Sequence, residues 1–203
     1  MNYANKWFKT TITKQAVLRY LQNYGHLLKW QNYKEHVLEV GCGEGSITKN
    51  ILFSHIKDRV HKLVAVDKLD AMIVLAKKES QEEEIEYQIL DIMDERRIEK
   101  MQSQFEHIFS FFVAHLIPDN RAFFNGLWKM LKPGGQVFVT MFSDHCFKRS
   151  FYRQSKEDKW AKYIQPETIF TDYTDKPDEY LRGLLTDVGF QVDICKVEHR
   201  TYQ

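Results

Sequence analysis

The sequence predicts an α/β fold, a doubly wound and mostly parallel Rossmann-like sheet of six strands, in one domain over residues 1–203. Three observations carry that prediction. Val37-Leu38-Glu39-Val40 is a β-favouring run that feeds Gly41-Cys42-Gly43-Glu44-Gly45 and then a helix-forming stretch. That join is where such sheets hold nucleotide-like ligands. Strand and helix patterns then alternate five times along the chain. Finally, the second and third strand runs each end on an acid, Asp67 and Asp91.

Each element follows from its pattern. Val17, Leu18, Leu21, Tyr24 and Leu28 recur at spacings of three and four, which predicts an amphipathic helix over 13–30. It either covers the sheet or closes over a site. Residues 31–36 are a polar connector. In the turn after the first strand, Gly41, Gly43 and Gly45 lack the Cβ atoms that would stop the backbone bending sharply and approaching a ligand. Ser46 is suited to cap a helix from Ile47 to Phe53. The second strand, Leu63 to Asp67, ends 26 residues after Gly41 on an acid able to accept both hydroxyls of a ribose, or simply to act as a strand-end helix cap. Asp70 is suited to cap a helix carrying Met72, Ile73, Leu75 and Ala76, and Ser80 to Glu84 is an acidic turn.

The third strand, with Ile85, Tyr87, Ile89 and Leu90, leads to Asp91-Ile92. There the acid can take an adenine amino group while Ile92 donates its N–H to the ring and packs on it; the alternative is a loop acid. Charged residues 94–104 predict a short helix and loop, and Ile108, Phe109, Phe111 and Phe112 a fourth strand. A helix from Asn120 to Leu131 is stopped by a type II turn at Lys132-Pro133-Gly134-Gly135, and Gln136 to Phe142 is the fifth strand. Residues 143–176 break the pattern with Phe147, Phe151, Tyr152, Trp160, Tyr163, Phe170 and Tyr173 among many charges. This stretch is either an aromatic lid over an apolar substrate or a helical insertion packed on the domain. Asp178 to Val188 returns to helix and Phe190 to Val197 to a sixth strand.

Composition narrows the function. Lys plus Arg is 29 against 28 Asp plus Glu, so no broad attraction to nucleic acid or anionic membrane is expected. Cys42, Cys146 and Cys195 have no CxxC spacing, which predicts reduced thiols in a cytoplasmic protein. No run has the length and apolarity of a membrane span. No His, Cys, Asp and Glu cluster has metal-ligand spacing, so no metal is expected.

The dinucleotide fingerprint places its third glycine at the sixth position of the turn. Here Ser46 stands at that position and the third glycine, Gly45, comes one residue early. Glu39-x-Gly41-x-Gly43-x-Gly45 resembles the first motif of class I S-adenosylmethionine (SAM) methyltransferases. SAM carries an ammonium and a sulfonium and no pyrophosphate, so an acid beside the loop suits it better than NAD. The stretches LEVGCGEG, VAVDKLDAM, QILDIMD, FSFFVAHLI and LKPGGQVFV extend the likeness over nearly the whole chain. Within the class the chain resembles arthropod juvenile hormone acid O-methyltransferases, through Phe109 to His115, Asp158-Lys159-Trp160 and Leu184 to Phe190.

The resemblance implies SAM as cofactor, held by Glu39, Gly41, Cys42, Gly43, Gly45, Asp67, Lys68, Met72, Asp91, Ile92 and Ser110. It implies a substrate pocket with Thr13, Gln15, Phe111, Phe112, Leu116, Phe142 and Trp160, and His115 as the residue nearest the chemistry. His115 would hydrogen-bond a substrate carboxylate or act as base for a hydroxyl; packing beneath the fourth strand's end is the alternative. Two positions depart from the family. Its tryptophan after the motif histidine is Leu116 here, and its N-terminal glutamine aligns with Thr13, with Gln15 close by. The implied reaction is methyl transfer to a small lipophilic molecule, foremost the carboxylate of a juvenile-hormone-acid-like or farnesoic-acid-like substrate. A SAM-binding regulatory protein without catalysis, and a methyltransferase for another small molecule or a protein, are the alternatives.

Class I methyltransferases have a seventh, antiparallel strand between the fifth and sixth, and the sequence stops six residues after Val197. The expectation is therefore a truncated form that binds SAM, turns over weakly or not at all, and self-associates through the edge of its fifth strand.

Overall fold

The glycine turn sits at the end of the innermost strand of the sheet. In the computed structural model that strand, β1 (Glu35–Val40), pairs in parallel with β2 (Val60–Asp67) on one side and β4 (Phe105–Phe111) on the other. β3 (Ile85–Ile89) lies outside β2, and β5 (Leu131–Thr140) outside β4, giving the order β3-β2-β1-β4-β5 with every pairing parallel. The structure describes residues 11–31, 33–80, 82–143, 153–163 and 176–199. Strands covered on both faces need continuous apolar runs. Accordingly every residue of β4 is buried, as are all of β1 except His36. The chain leaves β1 toward β2 and β3, then crosses back to β4 and β5. This order reverses at the β1–β4 boundary, where open α/β sheets bind ligands at the carboxyl ends of their strands.

Two compact units are distinguished, residues 1–111 with 129–140 and residues 112–128 with 141–203. The first holds the sheet. Its leading helix α1 (Thr11–Tyr24) buries Ala16, Val17 and Leu21 and ends in a 3-10 turn at Gly25–Leu27. The helix is thus shorter than its apolar spacing predicts: Leu18 is exposed, and the glycine at position 25 is a poor helix former. Helix α2 is wound as a π-helical turn at Thr48–Phe53 and continues through Ser54–Ile56. Helix α3 (Asp70–Glu79) packs on β2 and β3. Asp70 lies within its first turn rather than capping it. Helix α4 (Glu95–Lys100) is capped by Asp94, which accepts from Arg97 N.

Two further expectations are corrected. Lys132 to Gly135 is a bulge inside β5 rather than a turn ahead of it, since Phe105 pairs with Leu131 and His107 with Gln136. These four residues therefore stand opposite Glu106 alone. Gly134 has φ +80°, and a Cβ at Gly135 would meet the Glu106 carbonyl at 2.7 Å, so both glycines are required. The sixth strand does not form, and the sheet of the described residues has five. After β4, α5 (Asn120–Met130) is followed along the chain by a short helix α6 (Asp158–Ala161) and by α7 (Pro177–Val188). Gly189 closes α7 with φ +116°, and Phe190 N donates back to Leu185 O while its ring packs edge-on to Trp128. Beyond it, Val192 O accepts from Arg182 and Cys195 Sγ donates to Asp178 O. The segment is thus tied to α7 instead of to a ladder.

Candidate functional site

The site is built from the carboxyl ends of β1, β2 and β3. Gly41, Gly43 and Gly45 all adopt the left-handed region, with φ +79°, +56° and +81°. L-residues with side chains rarely enter it, so the alternation of glycines is dictated by the backbone path. Gly41 N and Cys42 N both donate to Val66 O, which pins the start of the loop to β2. Gly43 N donates to Asp67 Oδ2 at 3.0 Å, while Asp67 Oδ1 accepts from Leu69 N. Gly45 N returns to Cys42 O, and Gly45 O accepts from Lys49 N to begin α2. Ser46 is already helical and its hydroxyl turns to Glu44, so it does not cap; the Gly45 carbonyl supplies the first helical acceptor instead.

Three acids define the electrostatics. Glu39 is buried, and desolvation pushes its carboxyl up to about 7, with the Thr48 hydroxyl drawing it back and Glu44 adding to the rise. Asp67 is half-buried at the end of β2, and Asp91 is exposed at the end of β3, where its Oδ1 accepts from Met93 N. Leu90 N donates to Asp67 O and ties the two strand ends together. Ile92 and Met72 are buried, and Lys68 is exposed. The Cys42 thiol is buried and pushed above its ordinary range by desolvation and by the charges of Glu39 and Asp67, so it is a neutral packing group. Ser110 is fully buried and its hydroxyl donates to Val40 O, holding the end of β1 to β4.

This donor set fits SAM. Left-handed glycines expose loop backbone, the acids suit an ammonium and a sulfonium, and each Asp67 oxygen keeps a lone pair beyond its backbone contact for a ribose hydroxyl. Thr48 and Tyr87 were not anticipated. Their signal was Glu39 itself, since a carboxyl inside an apolar strand needs polar company.

The remaining predicted residues fall in three places. In the first unit, Thr13 is half-buried on α1, Gln15 is exposed and Phe111 is buried at the end of β4. In the second unit, Phe112 follows with φ +59°, a left-handed conformation that is rare for a bulky residue and marks a constrained position. Its ring lies 4.9 Å from that of Phe142, and the His115 ring meets Phe142 edge-on at 4.9 Å. So Phe112, His115 and Phe142 form one aromatic cluster. Leu116, in the same 3-10 turn as His115 (Ala114–Leu116), is 54% exposed. Trp160 is 40% exposed with Lys159 over its ring, and Tyr163 is exposed as well. Phe147, Phe151, Tyr152, Phe170, Tyr173 and Cys146 lie outside the described residues. Among the described residues no group of acids, histidines and cysteines could hold a metal, and no helix is long and apolar enough to cross a membrane.

Comparison with known proteins agrees with this architecture. Juvenile hormone acid O-methyltransferase of Bombyx mori is 27% identical over 195 residues, covering 94% of this chain and 69% of its own length. The Drosophila melanogaster protein of the same name is 28% identical over 179 residues, covering 84% of this chain and 59% of its own. A Haemonchus contortus N-methyltransferase solved with S-adenosylhomocysteine superposes with a TM-score of 0.58 at 16% identity, over 94% of this chain and 45% of that one. The sequence pattern of the methyltransferase domain matches residues 13–193. The chain therefore belongs to the methyltransferase domain family, on the Rossmann-like class I methyltransferase fold.

Proposed function

We propose that the chain is a SAM-dependent O-methyltransferase acting on a small lipophilic carboxylic acid, of the juvenile-hormone-acid or farnesoic-acid kind. The observation that carries the cofactor half is the left-handed glycine loop bound through Gly43 to Asp67, with Glu39 and Asp91 on the flanking strand ends. When bound, SAM supplies an electrophilic sulfonium methyl group. Methyl transfer to a substrate carboxylate oxygen would form an O–CH3 bond at the expense of the S–CH3 bond, with S-adenosylhomocysteine as the product to be released. A carboxylic acid is ionised near neutral pH, so the chain need not provide a general base. Its residues would contribute alignment and exclusion of water, with His115 donating to the substrate carboxylate and Phe112 and Phe142 walling its apolar part. The names of the two insect relatives support the acid, and Leu116 in place of the family's tryptophan supports a differently shaped acyl chain. The family match over 13–193 supports treating 1–203 as one functional domain. Free thiols at Cys42 and Cys195 support a cytoplasmic setting.

Incubation with labelled SAM and a panel of lipophilic acids, amines and phenols tests the reading. Label should appear in acids. Turnover confined to amines or phenols rejects the substrate class, and retention of SAM without transfer to any member rejects catalysis in favour of a binding protein.

Asp67→Ala removes the acceptor of Gly43 N and the proposed ribose acceptor together. Loss of charge-assisted bonds of about 1.5–3 kcal/mol corresponds to roughly ten- to a hundredfold weaker SAM binding. Calorimetry on a folded variant with unchanged affinity would show that the ribose lies elsewhere. Among the described residues no strand pairs with the outer side of β5, which supports self-association of this chain there; a concentration-independent monomer in sedimentation rejects it.

A further inference from the structure

Beneath the glycine loop, Glu39 shares its buried surroundings with three hydroxyls that the proposed reaction does not use. Glu39 Oε2, Thr48 Oγ1, Ser80 Oγ and Tyr87 Oη are buried and have no hydrogen-bond partner. They come from β1, α2, the residue after α3, and β3. Ala65 of β2 pairs with both Glu39 and Tyr87, so these two side chains share one row and one face of the sheet; Thr48 acts on both of them and Ser80 on the Tyr87 phenol. The row ends against the loop, because a Cβ on Gly45 would stand 2.8 Å from Tyr87 Oη. A buried polar atom is costly unless its neighbours satisfy it. The arrangement that satisfies these has each hydroxyl donating along the row, from Ser80 to Tyr87 to Thr48, and the last proton directed at the Glu39 carboxylate.

The surroundings of Glu39 leave this row as its main support. β2 and β4 set Ala65 and Phe109 opposite it, and neither titrates. The loop contributes Cys42, held neutral, and Glu44, whose charge opposes a second anion nearby; Asp67 acts on Cys42 from the end of β2. Tyr87 is pushed above the ordinary phenol range by burial, with the Glu39 charge adding to the rise, and so remains a donor at neutral pH.

We propose that Tyr87 is a positioning residue of the glycine loop: through Thr48 it holds Glu39 in its anionic form, and beneath Gly45 it holds the loop against that carboxylate. The consequence for ligand binding rests on the cofactor reading above, since an anionic Glu39 attracts a cationic ligand and a neutral one does not. The coupling between Tyr87, Glu39 and Gly45 is a property of the protein alone.

The test therefore has a ligand-free arm. By carboxyl and amide NMR, the Glu39 carboxyl and the Gly45 amide should titrate with one shared midpoint near pH 7. Tyr87→Phe keeps the ring and loses only the donor, and should raise that midpoint by about one pH unit. Thr48→Val should raise it as far, and the double variant no further. In the second arm, calorimetry with S-adenosylhomocysteine should show affinity rising through the same midpoint in each protein and converging at high pH. A Tyr87→Phe midpoint equal to the wild type, or a Gly45 amide that does not follow Glu39, overturns the proposal. So does a Tyr87→Phe affinity lowered equally at every pH, which marks a merely structural role. Shared titration with the expected shift, but no S-adenosylhomocysteine binding at any pH, upholds the role of Tyr87 and rejects the cofactor reading instead.

Discussion

Glu35→Ala is expected to destabilise the fold by about 3–5 kcal/mol, the usual cost of leaving one member of a buried ionisable pair alone. Glu35 opens β1 and is fully buried, and its Oε2 lies 2.9 Å from Nε2 of His107 on β4, itself 2% exposed. Trp30 covers the imidazole with ring centroids 4.1 Å apart, and Gln31 N donates to the other Glu35 oxygen. Burial raises the Glu35 carboxyl and pushes His107 from 6.5 down to about 4, so His107 is uncharged at neutral pH. A depressed histidine contributes stability present above 6.5 and lost as pH falls toward about 4, while a raised carboxyl gains stability as pH falls through the same region. The two oppose each other in the wild type. Glu35→Gln keeps a polar partner but removes the compensating carboxyl, so its stability should fall more steeply between pH 6.5 and 4 than that of the wild type. Chemical denaturation across that range checks both variants. A loss below about 1 kcal/mol for Glu35→Ala would show that the pair is not structurally coupled. Because Glu35 is at the opposite end of β1 from the glycine loop, ligand affinity of the folded fraction should be unaffected.

What the sequence made legible is what local pattern encodes. β1, β2 and β4 each carry a short buried apolar stretch, Val37-Leu38, Leu63 to Val66 and Ile108-Phe109, and such stretches are visible without knowing the neighbours. The glycine loop was legible for the same reason, since each of its three glycines answers a backbone requirement at its own position. The failures are non-local. Phe190 to Val197 has the composition of a strand, but a strand exists only by pairing. Here Arg182 and Asp178 on α7 take up groups of that segment, and Trp128 takes the ring of Phe190. Lys132-Pro133-Gly134-Gly135 has turn chemistry, and nothing in those four residues says that β5 already begins at Leu131. The Glu35–His107 pair joins residues 72 positions apart, and the row under Gly45 draws on four separate stretches of chain. Polar contacts of that kind have no periodicity to reveal them; only the presence of Glu39 within an apolar strand hinted at one.

Gly43→Val is expected to abolish cofactor binding, weakening it by more than about a hundredfold, while Cys42→Ala leaves it within severalfold of wild type. At φ +56° a β-branched residue is in a region that costs about 1–2 kcal/mol for any L-residue and more for one branched at Cβ. Relief of that strain moves Gly43 N away from Asp67 Oδ2, which forfeits a charge-assisted bond of roughly 1.5–3 kcal/mol. Asp67 then loses the contact that keeps its carboxylate turned toward the loop, so the loop and the proposed ribose acceptor fail together. The combined effect of about 3–5 kcal/mol exceeds a hundredfold in affinity. Cys42 differs in every relevant respect. Its thiol is neutral, it makes only a weak 3.6 Å contact to Gly43 O, and its backbone N–H to Val66 O survives substitution by alanine. Calorimetry with S-adenosylhomocysteine, on variants with wild-type circular dichroism, separates the two. Equal loss from both substitutions would mean that the loop binds through the Cys42 side chain and not through its glycine backbone.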